Sequence, residues 1–213
     1  MSQILNEISA ALQSGNAKSV KELVEKAIDE KISAQDILEK GLLSGMDVVA
    51  TKFRANEMFV PEVLMSARAM NTGSALLKPL LAESGVKAAG KAIIGTVKGD
   101  LHDIGKNLVS MMFEGKGIEV IDLGVDVPAD RFVSAYETEK PDIIAISALL
   151  TTTMGEMKNT VEALRAAGAD ASIMVGGAPV TEQFSDSIGA DYYSDDAAGA
   201  ADLAKNAILA KRG

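Results

Sequence analysis

The residues best suited to chemistry lie in one short run, Gly99-Asp100-Leu101-His102-Asp103-Ile104-Gly105-Lys106-Asn107. His102 is the only histidine in the 213 residues, and cysteine is absent. In an extended segment residues i and i+2 point the same way. Asp100 can therefore accept a hydrogen bond from one ring nitrogen of His102 and leave the other free for a metal, the arrangement that a metal-ligating histidine requires. The missing cysteines exclude disulfides, thiolate nucleophiles, iron–sulfur ligation and cysteine-containing zinc sites. The single histidine removes His/His zinc motifs and any Ser-His-Asp machinery that does not use His102. A redox-active metal must then bring its own ligands. A nucleotide-binding loop at this place would be glycine-rich so that backbone amides approach phosphate, but here the two carboxylates Asp100 and Asp103 repel it.

Two further runs offer polar or side-chain-free surface. Ser147-Ala148-Leu149-Leu150-Thr151-Thr152-Thr153 supplies hydroxyls. Gly176-Gly177-Ala178 offers a slot in which a large planar or elongated group can lie against backbone, and bulk at either glycine is expected to fill that slot while lying outside the strand's own core. Singly, each run has an ordinary explanation: a lone histidine is usually a surface or core residue, a threonine run a helix N-cap, and a glycine pair a turn. Their joint occurrence at the ends of neighbouring strands is what makes them a candidate site.

The elements that position them follow from apolar spacing. Strand-like runs at Ala92–Val97, Ile118–Asp122, Ile143–Ser147, Ile173–Val175 and Asp191–Tyr193 alternate with amphipathic segments, which predicts a doubly wound domain with a five-stranded parallel sheet. In such sheets ligands sit beyond the carboxyl ends of the strands, where the order of strands switches, and all three runs fall at carboxyl ends. Before residue 83 the apolar residues keep helical spacing, as in Ile4, Ile8 and Leu12 or Val20, Val24 and Ile28, and four helices are expected near 3–14, 17–31, 34–54 and 60–82. Gly15-Asn16 separates the first two, Ser33 with Asp36 resembles a capping box, and Pro61 suits a first helical turn. The small, polar stretch Glu83–Gly90 marks a boundary between a domain 1–88 and a domain 89–213. With 21 Lys plus Arg against 30 Asp plus Glu, a net charge of −9 and no basic block, nucleic acid and anionic membrane are poor partners. The N-terminus lacks a basic region followed by a long apolar stretch, so a cytoplasmic location is expected.

Asp100-x-His102-x-x-Gly105, followed by Ser147-x-Leu149 and then Gly176-Gly177, resembles the signature of cobalamin-binding domains that hold the cofactor base-off with a histidine on cobalt. The helical half resembles the cap that precedes this domain in methionine synthase and in the free-standing corrinoid proteins of anaerobic methyltransferase systems, and the two-domain length suits the latter. The resemblance implies that His102 is the lower axial ligand of cobalt, that Asp100 bonds to His102, and that Thr153 completes a proton relay. It places Asp103 and Ile104 against the cofactor and Gly105 with the Gly176-Gly177 pair in the slot for its nucleotide tail, with Ser147, Leu149 and Thr151 along the wall. In the cap, Phe53 and Val60 match the apolar residues over the upper face of the corrin, Val60 standing where the family has a larger leucine.

The activity so implied is methyl carriage. Cobalt(I) accepts the group from a donor-specific methyltransferase and hands it on as methyl-cobalt(III) to a second methyltransferase, towards tetrahydrofolate, with a reductive activating protein as a third partner. Methylamines, methanol, methoxylated aromatics, methylthiols and betaines are all served by look-alike carriers. Three rivals are weighed against this reading. A cobalamin-dependent regulator needs a DNA-binding module, a mutase small subunit corresponds to residues 89–213 alone, and a plain flavodoxin-like domain binds no corrinoid.

Overall fold

The computed structural model describes residues 3–83 and 88–212, without the side chains of residues 82, 83 and 212. Residues 84–87, part of the stretch read as a domain boundary, lie outside the described residues. The chain divides into two compact units, one comprising Met1–Ala88 with Gly115–Gly117 and the other Ala89–Glu114 with Ile118–Gly213.

In the first unit α1 (Gln3–Gln13), α2 (Ala17–Asp29), a long composite helix and α5 (Val60–Glu83) occupy the four predicted helical segments. The local signals act as expected: Asn16 accepts from the Ser19 amide and Ser33 from the Asp36 amide, both at 3.0 Å, supplying acceptors for donors that a helix start leaves unpaired. The composite helix runs as α3 (Ala34–Asp36), a π-helical stretch Ile37–Leu43 and α4 (Ser44–Arg54). Spacing did not foretell the π stretch. It carries Gly41, whose Cβ position lies 3.1 Å from the Ile8 side chain, and Gly45 follows with its Cβ position 3.1 Å from the Ser9 carbonyl, so both glycines serve a close approach to α1. Ile8, Leu12, Val20, Val24, Ile37, Leu42 and Val49 form the buried interior of this unit.

The second unit alternates strand and helix: β1 (Gly90–Thr96), α6 (Ile104–Glu114), β2 (Ile118–Asp122), α7 (Ala129–Glu139), β3 (Ile143–Ser147), a 3-10 turn Thr151–Thr153, α8 (Met154–Ala166), β4 (Ser172–Gly176), α9 (Glu182–Ile188), β5 (Tyr192–Tyr193) and α10 (Ala197–Arg212). All four pairings are parallel and the order is β2-β1-β3-β4-β5. Parallel strands covered on both faces must be apolar throughout, and β1, β3 and β4 are buried along nearly their whole length. On one face Phe132 of α7 lies over Gly95, whose Cβ position is 2.7 Å from the ring, and packs with Ile93, Ile144, Ile146, Val161 and Val175.

The order places the switch between β1 and β3. Register aligns the strand ends there, with Thr96 opposite Ser147 and Ser147 opposite Gly176. Among the described residues no helix is long and apolar enough to cross a membrane.

Candidate functional site

The loops that follow β1, β3 and β4 leave the sheet side by side, and Asp100 ties the first two together. Its side chain has no exposed surface. Oδ2 accepts from the amides of Leu149 at 2.7 Å and Leu150 at 3.2 Å and from the Thr153 hydroxyl at 3.0 Å. Oδ1 accepts from the His102 amide at 3.1 Å and lies 3.0 Å from His102 Nδ1. Burial by itself pushes a carboxyl pKa up. Here the amides of Leu149 and His102, the imidazole and the Thr153 hydroxyl outweigh it and hold Asp100 well below the usual carboxylate range. The anion is thus the stable form, and it orients the ring by fixing Nδ1.

The His102 side chain is half exposed, and its Nε2 has no hydrogen-bond partner among the described residues. With Nδ1–H donated to a carboxylate, Nε2 presents a lone pair to whatever lies above the sheet's carboxyl rim. Apolar side chains stand exposed in the same two loops: Leu101 at 72%, Ile104 at 74%, Leu149 at 41% and Leu150 at 39%. Such apolar residues beside an imidazole, at the mouth of a parallel sheet, suit a large, flat, largely apolar metal complex better than a hydrated ion.

The remaining expected residues divide. Ser147 is half-buried and stands in register between Thr96 and Gly176, while Thr151 is exposed at the start of the 3-10 turn. Asp103 is exposed and accepts from the Asn107 side chain at 3.1 Å. Gly105 faces open space, with nothing within 4 Å of its Cβ position. Phe53, at the end of α4, and Val60, at the start of α5, belong to the first unit and are each partly exposed.

Gly177 requires a correction. Its φ is +126° and an added Cβ would lie 1.8 Å from the Ala148 carbonyl oxygen, so glycine is demanded by the backbone of the strand end itself. Bulk there does not fall outside the core, as the sequence suggested. At Gly176 an added Cβ would meet the Ser194 carbonyl at 3.3 Å, and only Gly105 of the three glycines has room above it.

Sequence reasoning also missed residues. Thr96 is fully buried and donates to the His102 carbonyl at 2.9 Å, Asp126 accepts from the Gly99 amide at 2.7 Å, and Lys106 is buried in an ion pair with Asp122. The available signals were a hydroxyl ending an otherwise apolar strand and a lysine on the inward face of an amphipathic helix.

Comparison with known proteins matches this geometry to one family. Residues 90–202 and residues 4–78 each match a model described as a B12 binding domain. The chain is 43% identical over 213 residues to a corrinoid protein of Desulfitobacterium hafniense (strain Y51), covering 98% of each. It is 42% identical over 210 residues to a dimethylamine corrinoid protein of Methanosarcina barkeri, covering 97% of this chain and 98% of the relative. Among solved structures it resembles the methanol:cobalamin methyltransferase complex MtaBC from Methanosarcina barkeri, with a TM-score of 0.88 and 32% identity over 97% of this chain and 80% of that one.

Two outcomes follow from the geometry. Gly177→Val should destabilise the protein by about 3 kcal/mol or more through backbone strain and the clash with Ala148, whereas Gly105→Val, projecting into open space, should stay within roughly 0.5 kcal/mol; denaturant melts of the two cofactor-free variants check this. Asp100, with its folded pKa lowered, adds stability that is fully present above its unfolded value of about 4 and is lost as pH falls from there towards the folded value. Asp100→Asn should therefore unfold more easily by roughly 3 kcal/mol at pH 7, and its deficit should shrink between pH 4 and pH 2. A constant deficit across that range would mean that the carboxylate charge is not what matters.

Proposed function

The chain belongs to the B12-binding family of corrinoid proteins, and on that premise we propose that it is a methyl carrier in which His102 Nε2 is the lower axial ligand of a corrinoid held base-off. The observation that carries this reading is the pairing of a wholly buried, ionised Asp100 with a half-exposed His102 whose second nitrogen is free. The donor set suits cobalt, since imidazole is a good ligand for such metals and a carboxylate on its far nitrogen raises its basicity. Open space over Gly105 and the exposed Leu101, Ile104, Leu149 and Leu150 suit the cofactor's bulk.

When bound, the corrinoid supplies a cobalt centre that accepts a methyl group in its lowest oxidation state and gives it up again. Asp100 holds the imidazole at Nδ1 so that Nε2 faces the cofactor. Should the ring leave the metal and take up a proton, Asp100 and, 3.0 Å from it, Thr153 Oγ1 would be the groups placed to share it. Ser147, Leu149 and Thr151, with the backbone at Gly176 and Gly177, are assigned to the wall of the tail site. Asp103 and Ile104 are assigned to the rim beside Gly105, and Phe53 and Val60 to shielding of the upper corrin face by residues 1–88. Residues 89–213 then form the cofactor-binding domain.

A chain with one histidine and no cysteine has few means to activate a methyl donor or an acceptor, so both fall to partner methyltransferases. We assign the donor to the small methylated amines, supported by the likeness to a dimethylamine corrinoid protein. The acceptor reaction is directed to tetrahydrofolate, and a reductive activating protein restores the cofactor after accidental oxidation.

His102→Ala should fold and still bind the corrinoid, more weakly and without imidazole on cobalt. Electron paramagnetic resonance of the cobalt(II) form reads this directly: labelling the unaltered protein with 15N-histidine should change the nitrogen splitting, His102→Ala should lack that label-sensitive splitting, and a splitting in the unaltered protein that is indifferent to the label would refute the assignment, because His102 is the only histidine. The carrier reading predicts no multiple turnover of dimethylamine with tetrahydrofolate by the loaded protein alone, and turnover once a cognate donor and a cognate acceptor methyltransferase are added. Sustained turnover by the isolated protein would make it an enzyme in its own right.

A further inference from the structure

Leu101, His102, Asp103, Ile104 and Gly105 are all exposed, so packing does not hold the loop that carries the imidazole. Hydrogen bonds must do so, and Asp100 accounts for only one side of it. Thr96, the last residue of β1, donates from Oγ1 to the His102 carbonyl at 2.9 Å. Its own backbone is clamped in turn, its amide donating to the Gly124 carbonyl at 3.0 Å and its carbonyl accepting from the Val127 amide at 2.9 Å. Asp126 sits in the same Gly124–Val127 segment with a left-handed φ of 54°, a conformation that aspartate tolerates better than most residues. From there Oδ1 accepts from the Gly99 amide at 2.7 Å, and the Asp126 amide donates to the Asp100 carbonyl at 3.0 Å.

We propose that Thr96 and Asp126 are positioning residues that lock the backbone of Gly99–His102 against the loop after β2, so that any movement of His102 towards or away from the metal would be a rotation of its side chain while its backbone stays in place. This rests on the reading of His102 as the cobalt ligand. The physical case is that the segment is gripped at four backbone points from two directions. Asp126 takes the Gly99 amide and gives to the Asp100 carbonyl, Asp100 takes the His102 amide, and Thr96 gives to the His102 carbonyl. Without Thr96 the His102 peptide is held only by the carboxylate that also steers its ring, and without Asp126 the start of the loop loses both its charged acceptor and its reason for the left-handed turn. Thr96 is β-branched and buried, so its hydroxyl has few alternative rotamers in which to stray.

Thr96→Val preserves shape and removes the hydroxyl, with Thr96→Ser as the restoring variant; Asp126→Gly accepts the left-handed backbone and removes the carboxylate, with Asp126→Asn restoring an acceptor. In cofactor-free protein, hydrogen exchange at the His102 amide should quicken roughly 2- to 10-fold in Thr96→Val and in Asp126→Gly, although its own acceptor, Asp100, is unaltered in both, and should return towards the original rate in Thr96→Ser and Asp126→Asn. In corrinoid-loaded protein the first two variants should show a reduced or heterogeneous imidazole nitrogen splitting in the cobalt(II) spectrum. Unchanged His102 exchange together with an unchanged splitting would overturn the proposal. Should Thr96→Val fail to fold, Asp126→Gly on its exposed loop decides the question alone. Absence of the splitting in the unaltered protein would overturn the ligand reading, while the exchange comparison, made without cofactor, would still judge the grip itself.

Discussion

A carboxylate with no exposed surface is stable only if donors replace the water it has lost, and Asp100 has five within hydrogen-bond reach. Those donors come from two loops that are far apart in sequence. Satisfying the charge therefore joins the loop after β1 to the loop after β3, and the same act fixes which nitrogen of His102 faces outwards. The floor of the crevice at the strand-order switch is tied together by one ionised side chain, and a residue without acceptors in its place would leave amides of both loops without a partner.

The sheet makes this meeting possible. β1 and β3 are direct parallel neighbours, and their register sets Thr96 beside Ser147, with Gly176 next in line. Small or hydroxyl-bearing residues at these three strand ends leave room for the loops to turn inward. Gly177 then adopts a backbone conformation closed to side chains while almost touching the Ala148 carbonyl. The rigid part of the site is thus strand and strand end, and the exposed part is a five-residue run held by hydrogen bonds, with Leu101 and Ile104 turned outwards. On the proposed reading, that division would suit a histidine that has to be well placed and yet able to leave a metal.

Division of labour extends to the chemistry. The cofactor of a corrinoid protein supplies the reactivity, and the chain's part is to bind and orient it. With a single histidine and no cysteine, this chain would concentrate those tasks, on the proposed reading, in the three side chains Asp100, His102 and Thr153, which hydrogen-bond contacts join.

The helical spacing of the first half, the alternation of apolar runs with amphipathic segments in the second and the Asp-x-His-x-x-Gly loop were legible from residue order, because periodicity and i, i+2 geometry are local properties of the chain. The pairing of Asp100 with His102 belongs to this class. Thr96 and Asp126 do not, since a hydroxyl that ends a strand and an aspartate in a turn look ordinary until the fold carries them to the His102 carbonyl and the Gly99 amide. Gly177 shows the same limit from the other side: the sequence marked it as special, but the clash that requires glycine there involves a carbonyl at another strand's end, which no local pattern announces. The π-helical stretch at Ile37–Leu43 likewise answers to α1 packed across it. What the sequence determined by itself was the set of elements and the pairing of its one histidine with Asp100, both governed by neighbours along the chain. What only the tertiary structure decided was which distant backbone groups share the Asp100 charge and grip the histidine loop, because those partners are brought within hydrogen-bond distance by strand order and register.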